Sequence, residues 1–260
     1  MTEMSERTAA SPFSLMGVLG MVYGAACYLF FLVTFLYVMG FLANLSFLPK
    51  TVDRADSATP PIMAVLINGA LLTLFAVQHS VMARPAFKRA WTQIVPASLE
   101  RSTYVLAATL AVALLLWQWR PIPDLVWSVT SPPAVVGLYA LQILGWSVLL
   151  IATFLINHFE LFGLRQTLAA VLGRGVPESE FHTPMLYKLV RHPLYLGFVI
   201  AFWSAPQMSV GHLIFAIGGT GYILVGIFFE ERDLVAHFGQ KYRDYQKRVP
   251  MLFPFGAKRG

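Results

Sequence analysis

The sequence predicts an all-α, polytopic membrane protein of about five transmembrane helices, closed by a C-terminal helical hairpin and a cytoplasmic amphipathic tail helix. Three observations carry this expectation. Of 260 residues, 57% are apolar and 12% charged, with a mean hydropathy of +0.64, whereas a soluble domain carries about 25% charged residues. No Asp, Glu, Lys or Arg occurs from Thr8 to Pro49. None occurs from Phe198 to Phe229 either, and a span needs only about 20 apolar residues. The polar stretches are too short for a separate soluble domain, so residues 1–260 are expected to form one unit. It divides into four transmembrane helices (1–156), a connector (157–192) and a hairpin with its tail (193–260).

The first span is expected at about Phe13–Leu45, long enough to tilt. Residues 1–12 carry Glu3, Glu6 and Arg7 without a clear cleavage pattern, and no cleaved leader is expected. Lys50, Asp53, Arg54 and Asp56 make an exposed turn closed by Pro60-Pro61, and the second span follows at about Pro61–Met82. After the basic connector with Arg84, Lys88 and Arg89, the third span runs about Leu99–Trp119. Pro121 and Pro123 then forbid continuation. The fourth span takes about Pro133–Ile156, and the connector Asn157–Val190 leads to hairpin legs at Pro193–Trp203 and His212–Phe229. The first leg is too short to cross steeply alone, which suggests a bent or re-entrant leg buried by its neighbours. Beyond it, Glu230, Leu234, Phe238, Tyr242 and Tyr245 recur at helical spacing on one face, with Gly239 a bend and Pro250 and Pro254 a stop. The Trp residues fall mostly near span ends, where interfacial anchors sit.

With the N-terminus inside, all of the 19 Lys and Arg except Lys50, Arg54 and Arg120 lie on the cytoplasmic side, as the positive-inside rule requires. The net charge of +6 is thereby explained by topology and contact with anionic lipid, not by nucleic acid. The single cysteine, Cys27, excludes an intramolecular disulfide and reads as a small core residue. His79, His158, His182, His192, His212 and His237 are scattered without ligand spacing, so no metal site is expected. Gly218-Gly219-Thr220-Gly221 reads as a close-packing stretch. Oligomeric state is left open.

Two blocks carry chemistry. In Leu189-Val190-Arg191-His192-Pro193-Leu194-Tyr195-Leu196-Gly197, proline suits a helix start. The open amides there, with Arg191 beside them, form a seat for a carboxylate. Tyr195 adds a ring, and Gly197 a gap where a flat group can approach the backbone. Across the hairpin, Glu230 and Glu231 can receive a cationic amine or ribose hydroxyls, and one of them can pair with Arg191. The plainer alternative is a basic flank followed by solvated acids.

Arg191-His192-Pro193-x-Tyr195-x-Gly197, the apolar hairpin, and Glu230-Glu231-x-x-Leu234-x-x-x-Phe238-Gly239-x-x-Tyr242-x-x-Tyr245-x-x-x-Val249-Pro250 resemble the C-terminal half of the isoprenylcysteine carboxyl methyltransferase-like membrane enzymes, over about residues 185–254. The resemblance implies S-adenosyl-L-methionine as cofactor, held by Arg191, His192, Pro193, Tyr195, Gly197, Glu230 and Glu231, with Tyr187 and Val190 just upstream. Gln78-His79-Ser80-Val81-Met82-Ala83-Arg84-Pro85, Glu100-Arg101-Ser102-Thr103-Tyr104, Trp117-Gln118-Trp119-Arg120-Pro121 and Asn157-His158-Phe159-Glu160-Leu161-Phe162-Gly163-Leu164-Arg165-Gln166 are similar to the bacterial methanethiol S-methyltransferase group. That likeness implies methylation of a small thiol at the inner membrane. The wider family leaves open a lipid-like thiol, carboxylate or amine. Part of the N-terminal half also resembles the NnrU-like membrane proteins, which makes a non-enzymatic accessory protein the rival from another class.

A small thiol is mostly protonated at neutral pH and the thiolate is the better nucleophile. A base is therefore sought. His79, near the cytoplasmic end of the second span, is the first candidate, unless Gln78, Ser80 or Arg84 satisfies it structurally. His158 and Glu160 come second, and either could instead hold Arg101 or Arg165. A dedicated base need not exist, because a sulfonium beside the thiol itself favours the thiolate.

Overall fold

The protein is described here from a computed structural model covering residues 14–54, 59–175 and 183–254. The N-terminal segment, Asp56, His182, Lys258 and Arg259 lie outside the described residues.

Helix α1 (Leu15–Leu42) begins where the Ser14 side chain accepts the Gly17 amide at 3.1 Å, the usual N-cap arrangement. Helices α2 (Pro61–Ala83), α3 (Pro85–Trp91) and α5 (Pro132–Ile156) each start on proline, whose missing N–H costs nothing in a first turn. Helix α4 (Ala97–Gln118) stops just before Pro121 and Pro123. Two short helices, α6 (His158–Leu161) and α7 (Leu164–Val171), and a 3-10 turn (Met185–Lys188) form the connector. The hairpin is α8 (Pro193–Trp203) and α9 (Val210–Phe238), and α10 (Gln240–Arg248) is the tail. Five helices, α1, α2, α4, α5 and α9, are long and apolar enough to cross a membrane. The all-α polytopic expectation holds, and this is a multi-pass membrane protein.

Two boundaries move. The first helix ends at Leu42, before the expected Leu45. The second hairpin leg does not stop at Phe229: α9 continues to Phe238, so Glu230 and Glu231 stand inside an unbroken helix. Gly239 then turns the chain with φ of 58°, a region where side-chained residues are strained.

Neighbouring helices follow the order α5, α8, α9, α2, α4, α1. Phe35 of α1 meets Trp146 of α5 edge-on at 5.5 Å and brings the two ends together. Rings continue through Phe202, Phe215, Trp119 and Phe41. Trp119 and Trp146 are 1% and 4% exposed, so these two are core residues and not interfacial anchors, while Trp117 and Trp203 are exposed. Cys27 is buried, as expected.

Helix α8 has 11 residues and rises only about 17 Å, half of a bilayer's hydrocarbon thickness. The chain compensates with two strands the sequence did not announce. Strand β1 (Leu125–Ser128) dips to meet β2 (Gln207–Ser209) antiparallel, with Leu125 opposite Ser209 and Ser128 opposite Gln207. Gly211 N donates to Ile122 O at 3.0 Å, Trp127 Nε1 donates to Ala205 O at 3.0 Å, and Ser209 bonds Asp53. The short leg is therefore buried, and its non-helical tip has backbone partners, as irregular backbone at membrane depth requires.

Helix α8 is pressed against α5 through two glycines. A Cβ at Gly197 would stand 2.6 Å from Gly145 O, and one at Gly145 would stand 2.8 Å from Gly197 O. The gap expected at Gly197 is filled by a helix, so no flat ligand reaches the backbone there. Gly218 and Gly219 pack closely against Leu72 and Phe202, whereas Gly221 has nothing within 4 Å. Replacing Gly197 by Val forces two backbones apart, an overpacking cost of about 1–3 kcal/mol. The melting temperature of the detergent-solubilised variant should fall by several degrees, while Gly221→Ala should melt like the unaltered protein.

Candidate active site

The two sequence blocks meet. Arg191 and His192 precede α8, and Glu231 lies on α9. Glu231 Oε1 accepts from Arg191 Nε at 2.6 Å and from His192 Nε2 at 3.0 Å. Its Oε2 accepts from Gln246 Nε2 of α10 at 2.9 Å, and Tyr242 Oη donates to Oε1 at 3.5 Å. Arg191 also donates to the Val249 and Gln246 carbonyls at 2.6 and 3.1 Å. These side chains are largely withdrawn from solvent, Arg191 at 11%, His192 at 3% and Glu231 at 16% exposed. A charge so placed must be paired, and Glu231 is consumed in holding α8, α9 and α10 together.

The anion seat predicted at this helix start is also taken. Arg191 N donates to Pro250 O at 2.9 Å and His192 N to Met251 O at 3.1 Å. The tail carbonyls satisfy the amides that the sequence left open, so a bound carboxylate does not find them there. Tyr245 Oη donates to Tyr187 O at 2.5 Å, fixing the 3-10 turn beneath α10. Burial pushes the Tyr245 phenol up to about 12, and burial with Glu230 nearby raises that of Tyr187. Val190 and Pro193 are buried on the α5 side, lining a cavity of about 110 Å³ with Val148, Leu186, Leu189, Leu196 and Pro254.

Glu230, one position earlier on α9, is different. Its side chain is 44% exposed and accepts from Tyr195 Oη at 2.9 Å, with His192 Nδ1 at 3.9 Å. About two turns before Glu230 on the same helix stands Tyr222, and α4 contributes Tyr104. Those two residues surround His79. His79 Nε2 is 2.8 Å from Tyr104 Oη, and its ring lies 5.2 Å from that of Phe75 and 6.1 Å from that of Tyr222. Its Nδ1 is buried without a hydrogen-bond partner. The partners expected for a purely structural His79 are engaged elsewhere, Gln78 with Met82, Ser80 with Tyr222, and Arg84 with Ser80 O and Asp233. Tyr104 and Tyr222 were not singled out from sequence. Only two hydroxyls, Thr220 and Tyr222, occur in the otherwise uncharged, apolar leg, and that was the available signal for Tyr222.

His158 lies against Tyr28 and Phe162, which pack in one cluster with Tyr104, and Glu160 follows it on α6. Thr153 Oγ1 donates to Leu150 O at 2.7 Å and lies 2.8 Å from His158 Nδ1, while His158 Nε2 lies 2.8 Å from Tyr28 Oη. His158 thus donates from Nδ1 to Thr153 and accepts at Nε2 from Tyr28. Both nitrogens are occupied, its ring stacks 4.2 Å from Phe154, and burial lowers its pKa. Glu160 Oε2 accepts from Asn157 Nδ2 at 2.7 Å and Arg165 at 2.6 Å. Arg101 Nε instead donates to Leu161 O at 2.7 Å. Both His158 nitrogens and Glu160 Oε2 are thus engaged. At Gly163, φ of 88° and a would-be Cβ 2.7 Å from Ser102 N fit the α6–α7 turn against α4. Among the described residues, no His, Cys, Asp and Glu cluster could hold a metal ion.

Curated relatives agree with the motifs. The chain is 56% identical over 237 residues to the methanethiol S-methyltransferase of Mycobacterium tuberculosis, covering 91% of this chain and 96% of that one. Methanethiol S-methyltransferase 1 of Bradyrhizobium diazoefficiens is 53% identical over 90% of this chain and 81% of its own. The chain belongs to the methanethiol S-methyltransferase family. The same enzyme name attaches to a Pseudomonas protein 53% identical over 90% of both chains. No protein-family model matches the chain, and no solved structure matches it. Membership in the methanethiol S-methyltransferase family makes the protein a methyltransferase and decides against the accessory-protein alternative.

Two outcomes test these assignments. Glu231→Gln removes the partner of a buried guanidinium, a loss of about 3–5 kcal/mol, so it should melt well below the unaltered protein, whereas Glu230→Gln should melt close to it. Because burial holds the folded pKa of His158 below the ordinary histidine value of about 6.5, its contribution to stability is present above that value and is lost as pH falls below it. Thermal melts from pH 7.5 to 5 should therefore drop more steeply in the unaltered protein than in His158→Gln.

Proposed function

We propose that this protein methylates methanethiol, using S-adenosyl-L-methionine, and releases dimethyl sulfide at the cytoplasmic face of the bacterial inner membrane. The observation that carries the reading is that α9 carries both the half-exposed Glu230, held by Tyr195, and, about 12 Å earlier along its axis, Tyr222, whose ring lies beside the His79–Tyr104 pair. One helix thus carries an acidic, open position and part of an aromatic, buried one. The printed names of the relatives supply the substrate.

The residues fit the cofactor in part. Glu230 carries a carboxylate with solvent access, suited to a cationic amine or ribose hydroxyls, and Tyr195 holds it in place. Arg191, His192 and Glu231 act one step back, by positioning the helix that carries Glu230. Bound there, the cofactor supplies an electrophilic methyl group on a sulfonium. The charges of such a displacement partly cancel, so alignment and water exclusion by Phe75, Tyr104 and Tyr222 contribute more than charge stabilisation. His79 is the group that meets the thiol.

The second reading, a lipid-like acceptor, needs a long cleft at Glu230. The cavity beside α8 holds only about 110 Å³. The larger groove, about 660 Å³ between α1 and α4, is lined by Lys50 and Arg120 at the opposite end of the helices from Glu230. Neither cavity is lined by Glu230 or His79, and the printed names of the relatives favour the small thiol. One domain serves the whole reaction, with both termini cytoplasmic and Lys and Arg gathered on the side of Glu230.

Headspace measurement of dimethyl sulfide from purified protein given methanethiol, with and without S-adenosyl-L-methionine, tests this directly. Product is expected only with the cofactor, and Glu230→Gln should weaken cofactor affinity about tenfold or more without unfolding. Cofactor binding with no product would favour the lipid-like acceptor.

A further inference from the structure

The hydrogen bonds around His79 point to a donor, not a base: we infer that His79 presents Nδ1–H to the sulfur of an already ionised thiol, with Tyr104 as the positioning residue that sets this tautomer. The inference rests on the methanethiol reading above.

Tyr104 is 6% exposed, and the partner of its hydroxyl is His79 Nε2, at 2.8 Å. Were Nε2–H the donor, the phenol proton and the Nδ1 lone pair would both be buried without a partner, two orphans where the opposite direction leaves only Nδ1–H. The phenol therefore donates to Nε2. Arg101 reinforces that direction. Its guanidinium sits 5.0 Å over the Tyr104 ring, anchored by Leu161 O, and its positive charge draws electron density from the phenol and makes it a stronger donor.

A neutral imidazole carries one ring proton. With Nε2 accepting from Tyr104, that proton is on Nδ1, the buried atom without a partner. Neither nitrogen then has a lone pair free to take a thiol proton. What His79 offers is an N–H inside the ring of Phe75, Tyr104 and Tyr222, where water is excluded and a charge-assisted bond to sulfur is strong. The thiol proton leaves to bulk water before transfer. The thiolate sulfur then forms its bond to the methyl carbon as the carbon–sulfonium bond breaks, that electron pair returning to the donor's sulfur. No proton passes through His79.

Three measurements bear on this. His79→Asn keeps an N–H near the place of Nδ1 but has no basic nitrogen, and should retain kcat/KM within about tenfold. His79→Ala should lose about a hundredfold or more, the scale of deleting one preorganised donor. In the unaltered protein, log kcat/KM for methanethiol should rise steadily with pH toward the thiol's own ionisation, above the cysteine value of about 8.5, with no break near 6.5. In nitrogen NMR of histidine-labelled protein, the His79 signals should show a protonated Nδ1 and a bare Nε2, and Tyr104→Phe should mix the two tautomers.

The inference is overturned if His79→Asn falls as far as His79→Ala, if the rate profile bends near 6.5, or if Nε2 carries the proton. Where a variant fails to fold, the profile and NMR of the unaltered protein still decide. If that protein makes no dimethyl sulfide at all, the methanethiol reading fails, while the tautomer is read independently from the spectrum.

Discussion

The carboxylate of Glu231 is the constraint on which the junction of α8, α9 and α10 depends. Two of its partners, Arg191 and His192, lie at the start of α8, and two more, Tyr242 and Gln246, lie on α10. A charge withdrawn from water costs several kcal/mol unless every lone pair is met, so these three elements cannot drift independently. The backbone bonds from Arg191 and His192 to Pro250 and Met251 extend the same lock. Its consequence is a division of labour between adjacent acids. Successive side chains on a helix point about 100° apart, and while Glu231 turns inward to hold the frame, Glu230 is left with solvent access and a single tyrosine.

The spans were legible because bilayer thickness translates directly into sequence length. The same logic misplaced the end of α9. Hydropathy drops at Glu230 because the helix leaves the lipid, and leaving lipid does not require ending a helix. Gly239, where the backbone adopts φ of 58°, is the real stop. The two polar blocks around the hairpin were readable as sets of residue types at fixed spacing, but not their contacts. That Glu231 bonds Arg191, His192, Tyr242 and Gln246, that tail carbonyls fill the amides at the α8 start, and that Tyr104 partners His79 are facts of contact between distant segments. One-dimensional patterns do not encode them. The strands β1 and β2, four and three residues long, lacked the length for alternation to be recognised.

The contact between Gly145 and Gly197 shows how one residue type misleads in both directions. From sequence, a glycine beside a binding motif reads as room for a ligand. In the fold, the room is used by a second helix, so that α5 and α8 approach backbone to backbone, as small residues allow in membranes where no hydrophobic drive joins helices. The short helix needs this more than a long one does, since it has fewer turns over which to accumulate contacts.

The small sheet at the hairpin tip also bears on how the chain is made. Strand β1 lies early in the chain and offers an edge long before β2 is synthesised. Helix α8 cannot expose its tip to lipid, because the backbone at Ser204–Ser209 is not helical and finds partners only in the loop after α4. The last two helices must therefore enter as a pair, onto a template already in place, and a nascent chain lacking residues 121–128 would have no surface on which to complete its final hairpin.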